Sequence, residues 1–283
     1  MTAINFVGLG AIGLPMAIQL ARAGHDVTGV DPIPAARDRA ESEGITAVAS
    51  ISDAGAADLA IAMVATPDQL EVLITQAADS VAGQTWVIMS TVGPEALVAQ
   101  SKRLQAAGAT IVDGPVTGGV ARASIGDLVI FASGDPDLIA EVSPVLSVLG
   151  TVRIVGTRLG DGQSIKVVNQ HLASVHIVAA AEALSLARSL GLDEAAVLDL
   201  VGPGAAGSWM LSDRGPRMLL GTDAPVMSTI NIFVKDSGLV SSAAAAVNAD
   251  VPLLKAAQER YLAAEAAGLG LRDDSRVIET YQA

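Results

Sequence analysis

The run Ile4-Asn5-Phe6-Val7-Gly8-Leu9-Gly10-Ala11-Ile12-Gly13-Leu14-Pro15-Met16-Ala17 decides the fold. Its first four residues are a short, largely apolar stretch ending on glycine, the pattern of a buried strand. Gly8, Gly10 and Gly13 then take the spacing G-x-G-x-x-G. A helical stretch runs from Leu14 to Ala23, and Gly24 is placed to close it. His25 to Val30 reads as a second strand, with Asp31 at its end. Each glycine has a physical task in such a strand–turn–helix: the first permits the tight turn, the second admits a pyrophosphate to the backbone, the third lets helix pack on strand. The N–H groups and positive dipole end at the helix start favour phosphate. A carboxylate about 20 residues on is placed for a ribose hydroxyl. Gly8, Leu9, Gly10, Ala11, Ile12, Gly13 and Asp31 are therefore candidate dinucleotide-binding residues. Asp31 favours NAD, because a carboxylate repels a 2′-phosphate; positions 32–36 hold no Arg or Lys, and Arg37 is the nearest cation. NADP is the less favoured cofactor.

Residues 1–21 carry no charged side chain, which superficially suggests a signal peptide or membrane anchor. A signal peptide has a basic start, and Met1 to Asn5 has none. The expected location is cytoplasmic. Composition narrows the classes further. With 17 Lys+Arg against 30 Asp+Glu, the net charge of -13 argues against a nucleic-acid or anionic-membrane partner. Cysteine is absent, which removes disulfides and thiolate chemistry, and His25, His171 and His176 leave little for a metal site, so no metal is expected. Only 2% of residues are aromatic and 28 are glycine, so the core must be aliphatic and closely packed.

Outward from the glycine loop, the alternation continues. Strands are expected at Ala57–Val64, Thr85–Ser90, Ala109–Asp113, Leu128–Ser133 and Thr151–Val155. Helices are expected at Gln69–Ala78, Pro94–Gly108 and Pro136–Leu149, and a loop at Gly114–Gly119. This predicts an α/β domain over residues 1–160, a Rossmann-type doubly wound sheet. Ligands of such sheets sit beyond the carboxyl ends of the strands. Thr66-Pro67, Ser90-Thr91 and Asp113 to Gly119 all fall there, which makes Thr66 and Pro67 further cofactor-side candidates.

Strand signals nearly vanish after Leu159-Gly160-Asp161-Gly162, so residues 161–283 are expected to form an all-helical domain for substrate binding and oligomerisation. Gln163–Leu190 reads as one long helix, uncharged from Val167 to Ala181 and so expected to be buried around much of its circumference. Further helices are expected near Asp193–Val201, Ser208–Leu220, Ser228–Val247 and Pro252–Ala267, with Asp274 capping a short last one. The long apolar helix suggests a homodimer or homotetramer. Lys166 is the single cation between Gln163 and Ala181, and Asn169 and Gln170 follow at i+3 and i+4 on its face. Position alone leaves two readings: a lysine facing a cleft between domains, or a helix-start lysine reaching solvent.

Four ordered motifs spanning nearly the whole chain resemble the β-hydroxyacid dehydrogenase family, which includes 3-hydroxyisobutyrate dehydrogenase and tartronate semialdehyde reductase. They are Phe6 to Ala17; Asp113-Gly114-Pro115-Val116-Thr117-Gly118-Gly119 against D-x-P-V-S-G-G; Gly160 to Gln170 against G-x-G-x-x-x-K-x-x-N-N; and Phe233-Val234-Lys235-Asp236 against F-x-x-K-D. Two positions depart: Thr117 stands for the loop serine and Gln170 for the second asparagine. Together with Val175-His176, Ile232 to Asp236 and Asp273-Asp274-Ser275, these point toward the branch containing L-threonate dehydrogenase.

The resemblance implies NAD-dependent oxidation of a small anionic hydroxy acid, with Lys166 as general acid–base. Such a base must spend part of its time neutral, so a lowered pKa is expected. The substrate carboxylate would sit on Thr117, Gly118 and Gly119, with Arg122 near, and Asn169 and Gln170 would bind its other oxygens. Lys235, Thr91 and Asp274 would lie on the cofactor side. Three alternatives stand beside it: a reductase of a small semialdehyde acid, an imine reductase, and a non-catalytic dinucleotide-binding protein. An imine reductase usually lacks lysine at the Lys166 position.

Overall fold

The computed structural model describes residues 1–281 and divides into two compact units, Met1–Lys166 and Val167 onward. The first unit is built from β1 (Ala3–Val7), α1 (Gly13–Arg22), β2 (Asp26–Val30), α2 (Pro34–Ser42), β3 (Thr46–Val48), β4 (Leu59–Ala62), α3 (Pro67–Ala77), β5 (Thr85–Ile88), α4 (Pro94–Ala106), β6 (Thr110–Asp113), β7 (Val116–Thr117), α5 (Gly119–Ala123), β8 (Leu128–Gly134), α6 (Pro136–Leu146) and β9 (Gly150–Gly156). The strand order β3-β2-β1-β4-β5-β6 is all parallel, the doubly wound arrangement expected of the sequence. Both faces are buried, and alternate residues serve opposite sides. Ile4, Phe6, Leu59, Ile61, Val87 and Met89 join one core cluster; Val7, Ala60, Ala62, Trp86 and Ile88 join the other. That two-sided burial is why the strands read as continuous apolar runs.

Several expectations are corrected. The sequence reading passes from Asp31 to Ala57 without an element, yet α2 and β3 lie there. Both are short, and α2 is mostly polar, so neither gives a clear periodic signal. The supposed loop at Gly114–Gly119 contains β7 and leads into α5. After a break at Gly114-Pro115, β7 continues β6 along the same antiparallel partner, β8. Only β9 runs parallel to β8. The uncharged first 21 residues become β1, the glycine turn and most of α1.

Helix α7 (Asp161–Ser189) starts in the first unit and supplies the opening helix of the second. There it is joined by α8 (Glu194–Val201), α9 (Trp209–Leu219), α10 (Ile230–Ala246), α11 (Pro252–Ala264) and a 3-10 turn at Asp274–Thr280. Ile177, Ala181, Leu184, Phe233, Tyr261 and Val277 form its core. The Phe233 and Tyr261 rings stack with centroids 5.3 Å apart, and the Tyr261 hydroxyl donates to the Ser174 carbonyl at 2.9 Å. The uncharged middle of α7 is buried around much of its circumference, as expected: Ala173, Ser174, Ile177, Val178 and Ala181 are buried, and Val168 and Leu172, 59% and 48% exposed, mark the open side. One expectation fails here. The last turn is capped by Asp273, not Asp274; the Asp273 carboxylate accepts from the Ser275 N–H, whereas Asp274 turns inward. Among the described residues no helix is long and apolar enough to cross a membrane.

Candidate active site

The glycine turn between β1 and α1 can be tested position by position. A Cβ on Gly8, whose φ is +97°, would collide with the Met63 carbonyl oxygen, and one on Gly13 would collide with the Gly8 carbonyl oxygen. Both glycines are therefore required by the fold itself. Gly10 differs: a Cβ there would meet nothing within 4 Å. The protein does not fill the space over Gly10, which is where a pyrophosphate would approach the backbone. No side chain caps α1, so its opening N–H groups are not occupied by a capping residue. This cradle fits a dinucleotide.

Asp31, at the end of β2, is buried. Its Oδ2 accepts from the Leu9 N–H at 2.8 Å and its Oδ1 from the Ile33 N–H at 2.9 Å. The acid thus braces the glycine turn, a task the spacing alone did not reveal. Arg37, five residues beyond the Pro32 that follows, reaches back from α2, and its Nη1 donates to the Asp31 carbonyl at 2.8 Å. Thr66 caps α3 by accepting from the Gln69 N–H, Gln69 returns a bond to the Ala65 N–H, and Pro67 takes the first helical position. The buried Ser90 hydroxyl ties β4 to the end of β5: it accepts from the Val64 N–H at 2.8 Å and donates to the Ala62 carbonyl at 3.2 Å. Thr91 follows it, half-buried.

Parallel register carries the ends of β1, β2, β4, β5 and β6 to one rim of the sheet. At the β6 end, Asp113 is fully buried. Its Oδ2 accepts from the Ser133 hydroxyl at 3.0 Å, the Gly160 N–H at 3.1 Å and the Gln163 N–H at 3.0 Å. Its Oδ1 accepts from Gln163 Nε2 at 3.1 Å. Burial pushes the Asp113 carboxyl up from 3.8 to about 6, with these hydrogen bonds pulling the other way. Lys166 lies one turn beyond Gln163 on α7 and is 7% exposed, so the reading of a lysine reaching solvent does not hold.

Thr117 ends β7, and Gly118 and Gly119 follow with φ of +140° and +69°. Arg122 lies against Gly118 and its guanidinium makes an exposed ion pair with Asp127 at 2.9 Å.

In the second unit, Gln170 is buried and its Nε2 donates to Asp236 Oδ2, while its Oε1 accepts from Asn169 Nδ2 at 2.8 Å. Lys235 Nζ lies 2.8 Å from Asp236 Oδ1. Asp236 therefore gathers Gln170 and Lys235, two sequence-predicted residues 65 positions apart, around one carboxylate. Asp274 is fully buried and held by Arg214, whose Nη2 donates to its Oδ2 at 2.9 Å. Burial raises the Asp274 pKa against the pull of Arg214. Among the described residues, no group of three or more His, Asp or Glu side chains is arranged to hold a metal ion.

Gln163 and Ser133 carry no role in the sequence reading, and Asp113 and Asp236 enter it only as members of the D-x-P-V-S-G-G and F-x-x-K-D matches. The available signal was a buried-type polar residue on an apolar background, such as Gln163 opening a long uncharged helix.

Residues 3–160 match the model of the NAD binding domain of 6-phosphogluconate dehydrogenase, and residues 160–281 match that of the NAD-binding domain of NADP-dependent 3-hydroxyisobutyrate dehydrogenase. The chain belongs to the β-hydroxyacid dehydrogenase family. It is a dinucleotide-dependent oxidoreductase of the CH–OH class. It is 35% identical to L-threonate dehydrogenase of Cupriavidus necator, over 98% of this chain and 95% of the relative. It is 33% identical to 2-hydroxy-3-oxopropionate reductase of Escherichia coli, over 99% and 97%. The crystal structure of 3-hydroxyisobutyrate dehydrogenase from Salmonella typhimurium superposes with a TM-score of 0.92 at 32% identity, covering 99% of this chain and 100% of that one.

Proposed function

We propose that this family member oxidises a small hydroxy acid, L-threonate or a related 3-hydroxy acid, with NAD as cofactor and Lys166 as general acid–base. The observation that carries the reading is Lys166: a lysine withdrawn from solvent, one turn along α7 from Gln163, whose amide is bonded to the ends of β5 and β6. The likeness to L-threonate dehydrogenase, at 35% identity over nearly the full length, supports the substrate class.

NAD, when bound, supplies the hydride acceptor. The protein's own part is binding, orientation and proton movement. The Gly8–Gly13 backbone holds the pyrophosphate, and Asp31 accepts from the adenosine ribose. Thr66, Pro67, Thr91 and Lys235 complete the cofactor side in this reading, while Asp274, sealed from solvent against Arg214, braces the helical unit. The Thr117 hydroxyl and the Gly118 and Gly119 amides receive the substrate carboxylate, with Arg122 a peripheral charge. Asn169 and Gln170 bind the remaining oxygens; Gln170 is already oriented by Asp236. Lys166 Nζ takes the proton of the reacting hydroxyl during oxidation and returns it during reduction. Because both directions use the same groups, the 33% identity to 2-hydroxy-3-oxopropionate reductase favours a second reading, reduction of a small semialdehyde acid.

The test is a panel of three- and four-carbon hydroxy acids with NAD and with NADP, followed at the reduced-nicotinamide absorbance. A rise with a 3-hydroxy acid, faster with NAD, is expected. No rise with any acid despite NAD binding would leave a non-catalytic dinucleotide-binding protein, and equal rates with NADP would contradict the role of Asp31. We further propose a cytoplasmic homodimer or homotetramer whose subunits meet along the exposed Val168, Leu172 and Leu186 stripe of α7. A monomer in sedimentation equilibrium, or export on cell fractionation, would contradict this.

A further inference from the structure

Gln163 has every hydrogen-bonding position of its amide filled. Its Oε1 accepts from the Val92 and Gly93 N–H groups at 3.0 and 3.1 Å. Its Nε2 donates to the Ser90 carbonyl at 3.0 Å and to Asp113 Oδ1 at 3.1 Å. Two acceptor positions and two donor hydrogens are the whole capacity of a glutamine amide, so one orientation alone satisfies it. Asp113 completes the frame by accepting from the Gly160 and Gln163 backbone N–H groups, while the Ser133 hydroxyl accepts from the Gly162 N–H at 2.9 Å. The first turn of α7 is thereby stitched to the ends of β5, β6 and β8. The approach is close: a Cβ on Gly162 would lie 2.8 Å from Asp113 Oδ2 and collide with the Phe131 carbonyl oxygen.

Attaching a helix to a sheet does not require this: α6 packs on the sheet through Ile139, Val142, Val145 and Leu146, without a buried carboxylate. The network fixes something packing leaves looser, the axial position and rotation of one helical turn, and Lys166 is the residue one turn further on.

We propose that Asp113 and Gln163 are positioning residues for Lys166, holding the first turn of α7 so that the lysine nitrogen is presented at one place on the strand-end rim. The proposal rests on the reading of Lys166 as the proton carrier. Misplacing a reacting group by about 1 Å costs on the order of 10²-fold in rate, so a positioning role is read in kcat.

The experiment is a double-mutant cycle on the full-length enzyme with Gln163→Met and Lys166→Ala, recording kcat, the substrate KM and the dinucleotide Kd. Gln163→Met keeps the length and removes all four bonds. Expected are a fall in kcat of about 10–10²-fold, a KM and dinucleotide Kd within about threefold of the parent, and no further loss when Gln163→Met is added to Lys166→Ala. Should Gln163→Met fail to fold, Asp113→Asn enters the same cycle. It keeps one acceptor oxygen but sets an NH2 against Gln163 Nε2, and the same pattern is expected. Normal kcat in a folded variant, an equal additional loss on the Lys166→Ala background, or failure of both variants to fold each overturns the positioning role. Lys166→Ala at near-normal kcat instead overturns the reading of Lys166 itself. A slow Lys166→Ala beside a normal Gln163→Met removes only the positioning role.

Discussion

Each unit buries carboxylates, among them a pair in the helical unit and Asp113 in the sheet unit, and the two sites are satisfied in different ways. In the helical unit, Asp273 and Asp274 meet guanidinium groups. Arg214 holds Asp274, and Arg217 reaches Asp273 at 3.0 Å, while both arginines share Asp213. Burial pushes the Asp273 carboxyl up, but hydrogen bonds from Ser275, Met227 and Arg217 outweigh it and leave the pKa lowered. In the sheet unit, Asp113 meets only hydroxyl, amide and backbone donors, and its carboxyl rises to about 6. Arg217 and its neighbouring donors hold Asp273 on the ionised side, Arg214 offsets only part of the burial that raises Asp274, and neutral donors alone leave Asp113 close to titration. The first arrangement suits a part that must stay fixed. The second is bonded to Gln163, one turn before Lys166, the proposed proton carrier.

The comparison can be broken at either end. The largest effect should come from the charged cluster. Arg214→Met leaves Asp274, among the described residues, with only the long 3.5 Å ion contact to Arg217; breaking a buried ion pair costs about 3–5 kcal/mol, so the helical unit should be destabilised by about that much in urea unfolding. A change below about 1 kcal/mol would show that Asp274 does not depend on its partner.

A smaller, pH-dependent effect is expected at Asp113. Its folded pKa lies above the usual value, so the folded state holds the proton more tightly and gains stability as pH falls from about 6 toward 4. A carboxyl moved from 3.8 to about 6 corresponds to a difference of about 3 kcal/mol. Relative to Asp113→Asn, the parent should gain up to that amount between pH 7 and pH 4. Parallel stability curves for the two proteins would contradict the assignment.

Local patterns were legible in the sequence, and assembled ones were not. Gly8, Gly10, Gly13 and Asp31 stand at fixed spacing within one strand–helix–strand, so the turn and its acid could be read directly. Gln163 could not, because its four amide bonds go to positions 70, 71, 73 and 50 residues away. The Asp274–Arg214 pair spans 60 residues, and nothing near Asp274 distinguishes an inward acid from a helix cap. Strand β7 escaped because two residues after Gly114-Pro115 carry no periodicity, and its pairing is set by β8. The open side of α7 escaped for a different reason: an uncharged helix has no polar stripe to mark it, and Val168 and Leu172 are not covered by their own chain.

The central claim is that Lys166 moves the proton. The direct measurement is kcat of Lys166→Ala on the hydroxy acid that the substrate panel identifies, with dinucleotide affinity measured on the same preparation. A fall of about 10²–10⁴-fold with unchanged NAD binding is predicted. Turnover near that of the parent enzyme would contradict it.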